Sequence, residues 1–434
     1  MSTRPVTRQR PRAHDGQRSA EVAIFEATEQ LLQETSMQDL TVAQIIKRAG
    51  LSRANFYHYF ASKYDVLVAM IARLFDDAYA DAVPWQAPPG KTRAKSMDAS
   101  MRGTIDMWSE HGAVICAAVE QMHTVPAVAA AWKVMLEQFV RAISEQITHE
   151  RDNGTAPDGA PPEMIATMLV GGVERTFYVG SKNLDERLPS AESALDSIVA
   201  LTFAAIYGNQ RPVKRARRKK SAAKSANAVA TIAAAQAAGE ATASTDTAAT
   251  ILKAVNDLLQ EESLDELSVA QILERADASR GTFYFYFGSK DDAFVALFKE
   301  FAERIANGFE LLVKVDRDDP ARISELVAAW LDLDEATLAV ARNAVHEWPR
   351  RPELRRLYLE TVSRMTTALQ AMIEADRAVG IAVDGPPAAE FAAVIMWTIE
   401  RTVAGSMAQE EYLEDIGSVT KLLGELLVSA IYGI

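Results

Sequence analysis

The chain has 434 residues, about half of them hydrophobic, and a formal net charge of −13. This length predicts two to four domains, and the acidic balance argues against a protein whose whole surface attracts nucleic acid or anionic membrane. The single cysteine, Cys116, excludes an intrachain disulfide, which fits a cytoplasmic protein.

The chain begins with a basic segment, residues 1–18, which lacks the apolar core of a secretory signal. No later run reaches the length of about 18 apolar residues that a membrane span requires. We therefore predict a cytoplasmic protein with no membrane partner. The first element is an amphipathic helix from about Ser19 to Gln33, with Val22 and Phe25 among its apolar residues.

Three helix starts follow in close succession. Thr41 and Gln44 have the spacing of a capping box, Ser52 is a fresh N-cap after the turn residue Gly50, and Ser62 begins a third helix. Two short helices joined by a glycine-containing turn make a helix-turn-helix, whose second helix can enter a DNA major groove. The predicted helices cover residues 41–48, 52–60 and a longer stretch from 62.

The second of these helices carries a cluster of aromatic residues. Phe56 and Phe60 are four residues apart, so both are predicted to lie on the core side of the helix. Tyr57 and His58 have polar tips that can reach phosphate oxygens or base edges. Lys63 falls in the first turn of the next helix, where its ammonium group is predicted to meet a phosphate.

The pattern occurs twice. Residues 40–71 and 267–298 align without a gap and are identical at more than half of their positions. Further along, ERTFYVGS at 174–181 has a counterpart in ERTVAGS at 400–406. A repeat this long predicts a duplicated domain, with both units built on one plan.

The two units are joined by a segment that is poor in large apolar residues and cannot form a core. Its first part, 211–224, is strongly basic, and its second part is rich in alanine. The basic stretches 4–18 and 211–224 each precede one helix-turn-helix. We interpret 4–18 as an arm that tracks DNA rather than as a solvated tether. For 211–224 the two alternatives, a DNA-tracking arm and a solvated tether, have equal weight.

These residues resemble the DNA-binding region of the TetR family of bacterial transcriptional regulators over about 60 residues of each half. The matching positions in the first copy are Thr41, Ile45, Ala49, Gly50, Ser52, Asn55, Tyr57, Tyr59, Phe60, Ser62, Lys63 and Leu67. Those in the second copy are Ser268, Ile272, Ala276, Ser279, Gly281, Thr282, Tyr284, Tyr286, Phe287, Ser289 and Lys290.

The resemblance implies an all-α fold of two tandem TetR-like units. Each unit is a three-helix helix-turn-helix domain followed by a helical bundle for ligand binding and dimerisation. The expected segments are a basic N-terminal arm (1–18), the first helix-turn-helix domain (19–78) and regulatory domain (79–208), a linker (209–245), and the second helix-turn-helix domain (246–305) and regulatory domain (306–434).

The resemblance and the exposed first turns together assign the DNA contacts. In the first copy these are Thr41, Ser52, Arg53, Ala54, Asn55, Tyr57, His58 and Lys63. In the second copy they are Ser268, Ser279, Arg280, Gly281, Thr282, Tyr284, Phe285 and Lys290. Two departures matter: Ala54 replaces the family's usual glycine, and Phe285 replaces a polar tip, so it can form no hydrogen bond there.

An ordinary family member dimerises and reads a palindrome on double-stranded DNA. Here both reading helices belong to one chain and differ in sequence, which suggests a monomeric pseudo-dimer on an asymmetric operator, with a homodimer as the alternative. Gly171, Gly172 and Gly180 would allow close approach of the interface helices. The candidate interface helices cover about 163–183, 190–207, 386–407 and 412–432.

The regulatory regions are rich in methionine and tryptophan, which suits either an adaptable apolar pocket or a filled core. The candidate pocket residues are Met101, Trp108, Met122, Trp132, Met135, Trp330, Trp348 and Trp397. A pocket of this composition would take a hydrophobic or amphipathic effector, such as a lipid, a steroid or an acyl thioester.

The leading hypothesis is a sequence-specific repressor that is released by a small ligand. An architectural DNA-binding protein without effector control is the alternative, and an all-α enzyme is a weaker one. No G-x-S-x-G, P-loop, dinucleotide or H-E-x-x-H motif occurs. The histidines lack metal-ligand spacing, so neither a cofactor nor a metal site is predicted.

Overall fold

In the described part of the chain, the computed structural model contains α-helices and turns but no strand, which confirms the all-α prediction. The structure describes residues 20–81, 91–208, 230–232, 234, 247–314 and 322–433. Both basic stretches, 4–18 and 211–224, lie outside the described residues, as does most of the proposed linker.

The described residues of the first repeat form eight helices. They are α1 (Ala20–Glu34), α2 (Val42–Ala49), α3 (Arg53–Tyr59), α4 (Lys63–Asp81), α5 (Lys91–Gln121), α6 (Pro126–Asp152), α7 (Pro162–Ser181) and α8 (Ala191–Tyr207). Helix α5 is kinked at His111, where the backbone leaves the helical region at φ −119° and ψ 16°.

Within its described residues, the second repeat follows the same order with one helix more. Its helices are α9 (Thr247–Leu259), α10 (Val269–Arg275), α11 (Arg280–Tyr286), α12 (Lys290–Lys314), α13 (Ile323–Trp330), α14 (Glu335–Glu347), α15 (Pro352–Ala378), α16 (Ala388–Met407) and α17 (Ile416–Tyr432). Helices α13 and α14 together take the place of α5, so the first repeat has one kinked helix where the second has two.

The predicted caps and turns are present in both copies. Thr41 forms a capping box with Gln44, and Ser268 forms one with Gln271. Gly50 ends α2 in the left-handed region at φ 68°, and Asp277 adopts φ 49° in the same place of the second copy. Aspartate tolerates this conformation better than most residues, which explains why the turn survives the loss of glycine.

The helix-turn-helix of the first copy is held by an aromatic core. Phe56 is fully buried and Phe60 is nearly so, as predicted, and the Phe60 ring lies 5.7 Å from the ring of Phe25 on α1. In the second copy Phe283 occupies the place of Phe56 and is likewise fully buried. Each recognition helix is thus fixed by one ring on its inner side.

The chain divides into two compact units that do not coincide with the two repeats. The first consists of Met1–Ala80 and Glu110–Met135, and it contains the first helix-turn-helix. The second consists of Asp81–Ser109 and Leu136–Ile434. It contains the second helix-turn-helix and the last two helices of both repeats.

Within the second compact unit, α7, α8, α16 and α17 pack on one another. Helices α7 and α16 cross where Gly172 meets Thr398, two residues at equivalent positions of the two repeats. A β-carbon on Gly172 would lie 2.5 Å from the Thr398 hydroxyl oxygen, so only glycine permits this approach. On the neighbouring pair, the Ser429 hydroxyl of α17 donates to the Ala204 carbonyl of α8 at 2.9 Å.

Among the described residues, no single helix is both long and apolar enough to cross a membrane. One bent pair, Arg93–Gln121 with Pro126–Asp152, passes the same test by length and composition only.

Candidate nucleic-acid interface and ligand cavity

The first recognition helix, α3, presents the predicted residues to solvent. Ser52 caps it by accepting a hydrogen bond from the Asn55 backbone N–H at 3.1 Å. The side chains on its outer side are exposed: Arg53, Ala54, Asn55, Tyr57 and His58. The Arg53 guanidinium lies 5.9 Å from the centre of the Tyr57 ring. The helix therefore offers donors, acceptors and one cation on the face opposite its core.

The second recognition helix, α11, has the same frame and a different surface. Ser279 caps it by accepting from the Thr282 backbone N–H at 3.0 Å, and the two hydroxyl oxygens lie 2.7 Å apart. Arg280 and Gly281 are exposed, whereas Thr282 is half-buried. Beyond them lie three exposed aromatic residues, Tyr284, Phe285 and Tyr286. This surface is more apolar than that of α3.

Lys63 and Lys290 have partners other than the phosphate that the sequence suggested. The Lys63 ammonium donates to the carbonyls of Met37, Gln38 and Leu40 at 2.7, 2.8 and 2.8 Å. Because an ammonium group has three N–H donors, all of them are occupied. In this structure the lysine braces the loop before α2, and partial burial lowers its pKa. Its contact with a DNA phosphate stays a prediction.

The second copy repeats the brace. Lys290 donates to the carbonyls of Leu264, Asp265 and Leu267 at 2.7, 3.0 and 2.6 Å. The same three loop positions are used as in the first copy. The loop they hold leads into Thr41 or Ser268, whose exposed side chains cap the following helix. DNA contact by these two caps remains a prediction.

An apolar cavity with a volume of about 90 Å³ lies in the second regulatory domain. Helices α12 to α16 line it, mainly with aromatic, aliphatic and methionine side chains. Its lining includes Trp330, Tyr358, Met365, Met396 and Glu400.

The polar edge of the cavity is a small hydrogen-bonded cluster. The Tyr358 hydroxyl donates to Glu400 Oε1 at 2.5 Å. Burial and the Glu400 carboxylate raise the pKa of Tyr358 well above its usual range, so the hydroxyl keeps its proton. Glu400 Oε2 lies 3.0 Å from Nε of Arg175 on α7. One carboxylate therefore contacts both the cavity and the other repeat.

The contact between α7 and α16 is reciprocal. Glu174 and Arg175 occupy the positions equivalent to Glu400 and Arg401 in the repeat. Arg175 pairs with Glu400 at 3.0 Å, and Arg401 faces Glu174 at 3.9 Å, with all four side chains nearly buried. Burial alone would lower the pKa of Arg401, but the carboxylates of Glu410 and Glu174 raise it above its usual value.

The cavity includes Trp330 alone among the eight predicted pocket residues. Trp348 is buried and stacks on Tyr358 at 5.1 Å, one layer behind the wall. Trp397 donates from Nε1 to Asp185 at 3.1 Å, which ties α16 to the loop after α7. Trp348 and Trp397 thus lie outside this cavity and make packing contacts, and their place in a ligand pocket stays a prediction.

The predicted pocket residues of the first repeat are divided between the two compact units. Met101 and Trp108 belong to one compact unit, and Met122, Trp132 and Met135 belong to the other. Met101 and Met122 are half-buried, whereas the other three are buried. Trp108 packs edge-on against Phe177 at 5.8 Å, which agrees with the filled-core alternative.

Sequence reasoning missed an ion cluster that holds the second helix-turn-helix to its regulatory domain. Arg351 contacts Glu347, Asp265 and Asp291, with 2.6 Å to each of the first two. Arg350 contacts Glu347 as well, and lies 3.5 Å from Asp265. Glu347 ends α14, Arg351 precedes α15, and Asp265 and Asp291 belong to the helix-turn-helix domain.

The signal for this cluster was present in the repeat alignment. The equivalent positions of the first copy are all uncharged: Gln38, Tyr64, Gln121, Thr124 and Val125. Five charges that appear together in only one copy of a repeat indicate a contact that only that copy makes. The first copy has a different tie, from His111 Nδ1 on α5 to Glu29 on α1 at 2.8 Å.

Among the residues that the structure describes, no group of three or more histidine, cysteine, aspartate or glutamate side chains is arranged to hold a metal ion. Cys116 is buried.

Two family models match the chain, and each matches it twice. The model for bacterial regulatory proteins of the tetR family matches residues 24–70 and 251–297. The model for the C-terminal domain of the transcriptional regulator EthR matches residues 97–208 and 321–433. The paired matches place one N-terminal and one C-terminal domain in each repeat.

Individual proteins are also similar to parts of this chain. The HTH-type transcriptional regulator EthR of Mycobacterium tuberculosis is 30% identical over 192 residues, which cover 44% of this chain and 88% of that protein. EthR of Mycolicibacterium smegmatis is 29% identical over 189 residues, covering 43% of this chain and 87% of that protein. Among solved structures, SmeT, the repressor of the Stenotrophomonas maltophilia multidrug efflux pump SmeDEF, is 20% identical, covers 48% of this chain and 100% of that chain, and has a TM-score of 0.37.

Proposed function

The chain belongs to the TetR family of bacterial regulatory proteins, as two tandem units that each carry a DNA-binding domain, and from this premise we propose that it is a single-chain repressor. One polypeptide acts as a pseudo-dimer in the cytoplasm and binds an asymmetric operator on double-stranded DNA. An apolar or amphipathic small ligand that enters the second regulatory domain releases the protein from the operator. Repression follows from occupancy, because a protein bound at a promoter excludes the polymerase.

The observation that carries the pseudo-dimer is the reciprocal contact of Arg175 with Glu400 and of Arg401 with Glu174. In an isologous interface, residue i of one subunit contacts residue j of the other, and j contacts i. Here both halves of that pattern occur inside one chain. The close approach of Gly172 to its own repeat equivalent, Thr398, supports the same conclusion.

The asymmetric operator rests on the two recognition helices. RANFYH at 53–58 and RGTFYF at 280–285 share a frame and differ at three positions. We assign base-reading roles to Asn55 and His58 in the first helix, and to Thr282 and Phe285 in the second. Two helices with such different side chains favour two different half-sites, since each base pair shows a distinct pattern in the major groove.

The ligand step rests on the helices that line the cavity. Helix α14 lines it with Ala341 and Val345, and its last residue is Glu347. Helix α15 lines it with Tyr358 and Met365, and it begins next to Arg351. A ligand that displaces these helices also displaces Glu347 and Arg351, which hold the second helix-turn-helix.

The DNA part is tested by selecting bound fragments from a randomised double-stranded DNA library with the full chain, followed by native mass spectrometry of the complex. We expect two unlike half-sites and one chain per operator. A palindrome bound by two chains would overturn the pseudo-dimer, and a library without enrichment would overturn sequence-specific binding.

The ligand part is tested by titrating the full chain with a steroid, a long-chain acyl thioester and, as a polar control, glucose. Because Trp330 lines the cavity, a ligand inside it should change the tryptophan fluorescence of the native chain more than that of a Trp330→Phe variant. The same compound should weaken operator binding. Equal responses from native chain and variant, or an effect of glucose, would place the ligand elsewhere.

A further inference from the structure

Phe285 is the most exposed large hydrophobic side chain in the described part of the molecule. It is 81% exposed, against 52% for Tyr284 and 40% for Tyr286. Its ring meets the Tyr286 ring edge-on at 5.0 Å and is otherwise open to solvent. The equivalent position in the first copy is occupied by His58, a side chain that water solvates well.

Folding does not account for an exposed phenylalanine at this position. The core contact of α11 is made by Phe283, which is fully buried. Fully burying a phenylalanine side chain is worth about 1.5–3 kcal/mol, and Phe285 gains little of that in the free protein. A partner that covers the ring recovers this contribution.

The partner follows from the position of Phe285 on the recognition helix. It lies on the outer side of α11, beyond the capped first turn that carries the exposed Arg280. The ring has no hydrogen-bonding group, so it cannot read the donors and acceptors of the base edges. The one apolar group that base edges offer in the major groove is the C5-methyl group of thymine.

We propose that Phe285 reads a thymine in the half-site of the second recognition helix by packing on its methyl group. At the same position the first helix carries His58, which can hydrogen-bond to a base or a phosphate instead. This inference rests on the proposed DNA-binding function and adds the base that the second half-site must contain. It also makes one residue pair, His58 and Phe285, a source of the operator's asymmetry.

The test uses the full chain and the operator obtained by selection, with each thymine replaced in turn by deoxyuridine, which removes only the methyl group. One replacement in the second half-site should weaken binding about fourfold, the loss expected for one buried methyl group. The same replacement should have no effect on a Phe285→Ala variant. Because Phe285 is exposed, this variant retains the fold.

A matched gain completes the design. A His58→Phe variant should acquire sensitivity to deoxyuridine in the first half-site, provided that the facing base pair is changed to present thymine, whereas the native chain should show none there. Circular dichroism of both variants should match that of the native chain.

Three outcomes would overturn the inference. In the first, no deoxyuridine replacement in the second half-site weakens operator binding by the native chain. In the second, the replacement weakens binding by the Phe285→Ala variant as well. In the third, Phe285→Ala binds the operator normally and instead abolishes self-association of the chain. In each case unlike half-sites would leave the proposed function intact. A chain that enriches no DNA sequence would overturn both.

Discussion

Arg175 and Glu400 meet where the penultimate helices of the two repeats cross, with Arg175 Nε and Glu400 Oε2 3.0 Å apart and both side chains nearly buried. Glu400 also accepts a hydrogen bond from the Tyr358 hydroxyl at the edge of the cavity. The Arg175 guanidinium lies 5.6 Å from the Trp348 ring, which stacks on Tyr358. The contact between the repeats and the wall of the cavity thus share side chains.

The first prediction concerns this pair. Arg175→Met should lower the free energy of unfolding by about 3–5 kcal/mol, because it removes the cation that pairs with the buried Glu400 carboxylate. Adding Glu400→Gln should restore part of the loss, since the uncompensated charge is removed. Urea unfolding followed by circular dichroism measures both variants.

The control for that pair is Arg102→Ala, which removes an exposed arginine that pairs with Asp98 and Glu192 in the same compact unit. Exposed ion pairs contribute little to stability, so this variant should unfold close to the native chain. If Arg175→Met unfolds like the control, the buried contact does not hold the repeats together.

The second prediction concerns the lysine brace. Lys63→Met should speed amide exchange in residues 36–41, since three carbonyls lose their donor. The salt dependence of operator binding should keep its slope, because the three carbonyls already occupy the N–H donors of the ammonium. The exposed Lys47 serves as control and should leave exchange unchanged when replaced by methionine. A slope reduced by about 0.9, the contribution of one phosphate contact, would instead restore the phosphate role.

The third prediction concerns base reading by the first helix. Asn55→Ala should alter the preference at one or two base pairs of the first half-site by about 1–3 kcal/mol, if the amide makes a bidentate contact. Thr282→Ala, at the same position of the second helix, is the matched variant and should affect only the other half-site. Binding to operator variants carrying single base changes measures both. A loss that is the same for every sequence would assign Asn55 to the phosphate backbone.

The fourth prediction concerns the ion cluster. Arg351→Ala should increase amide exchange in residues 263–292, because Asp265 and Asp291 lose the cation that ties them to α14 and α15. Residues 36–65 of the first helix-turn-helix should be unaffected, since that copy has no equivalent charges. Hydrogen–deuterium exchange with mass spectrometry resolves the two regions.

Arg356→Ala is the control for the cluster. It removes an exposed arginine of α15 that pairs with Glu353 and Glu360 on its own helix. Its exchange pattern should match that of the native chain. Equal exchange in the Arg351 variant would show that the cluster does not hold the domain.

The sequence by itself determined the local structure of both DNA-reading domains. The capping boxes at Thr41 and Ser268, the left-handed turns at Gly50 and Asp277 and the buried Phe56 were all predictable. Such features depend on residues within four positions of one another, so the residue spacing in the sequence is enough to predict them. Because the domain is duplicated, the same pattern could be found twice in one chain.

Only the tertiary structure decided which long-range partners these residues have. Lys63 reaches carbonyls about 25 positions away, Arg351 reaches carboxylates about 60 and 86 positions away, and Arg175 pairs with a residue of the other repeat. A charged side chain reads the same in the sequence whether it faces a phosphate, a carbonyl or a buried carboxylate. Its role depends on chain segments that come together only after folding. For the same reason, the sequence does not tell whether an apolar residue lines a cavity or packs in a filled core.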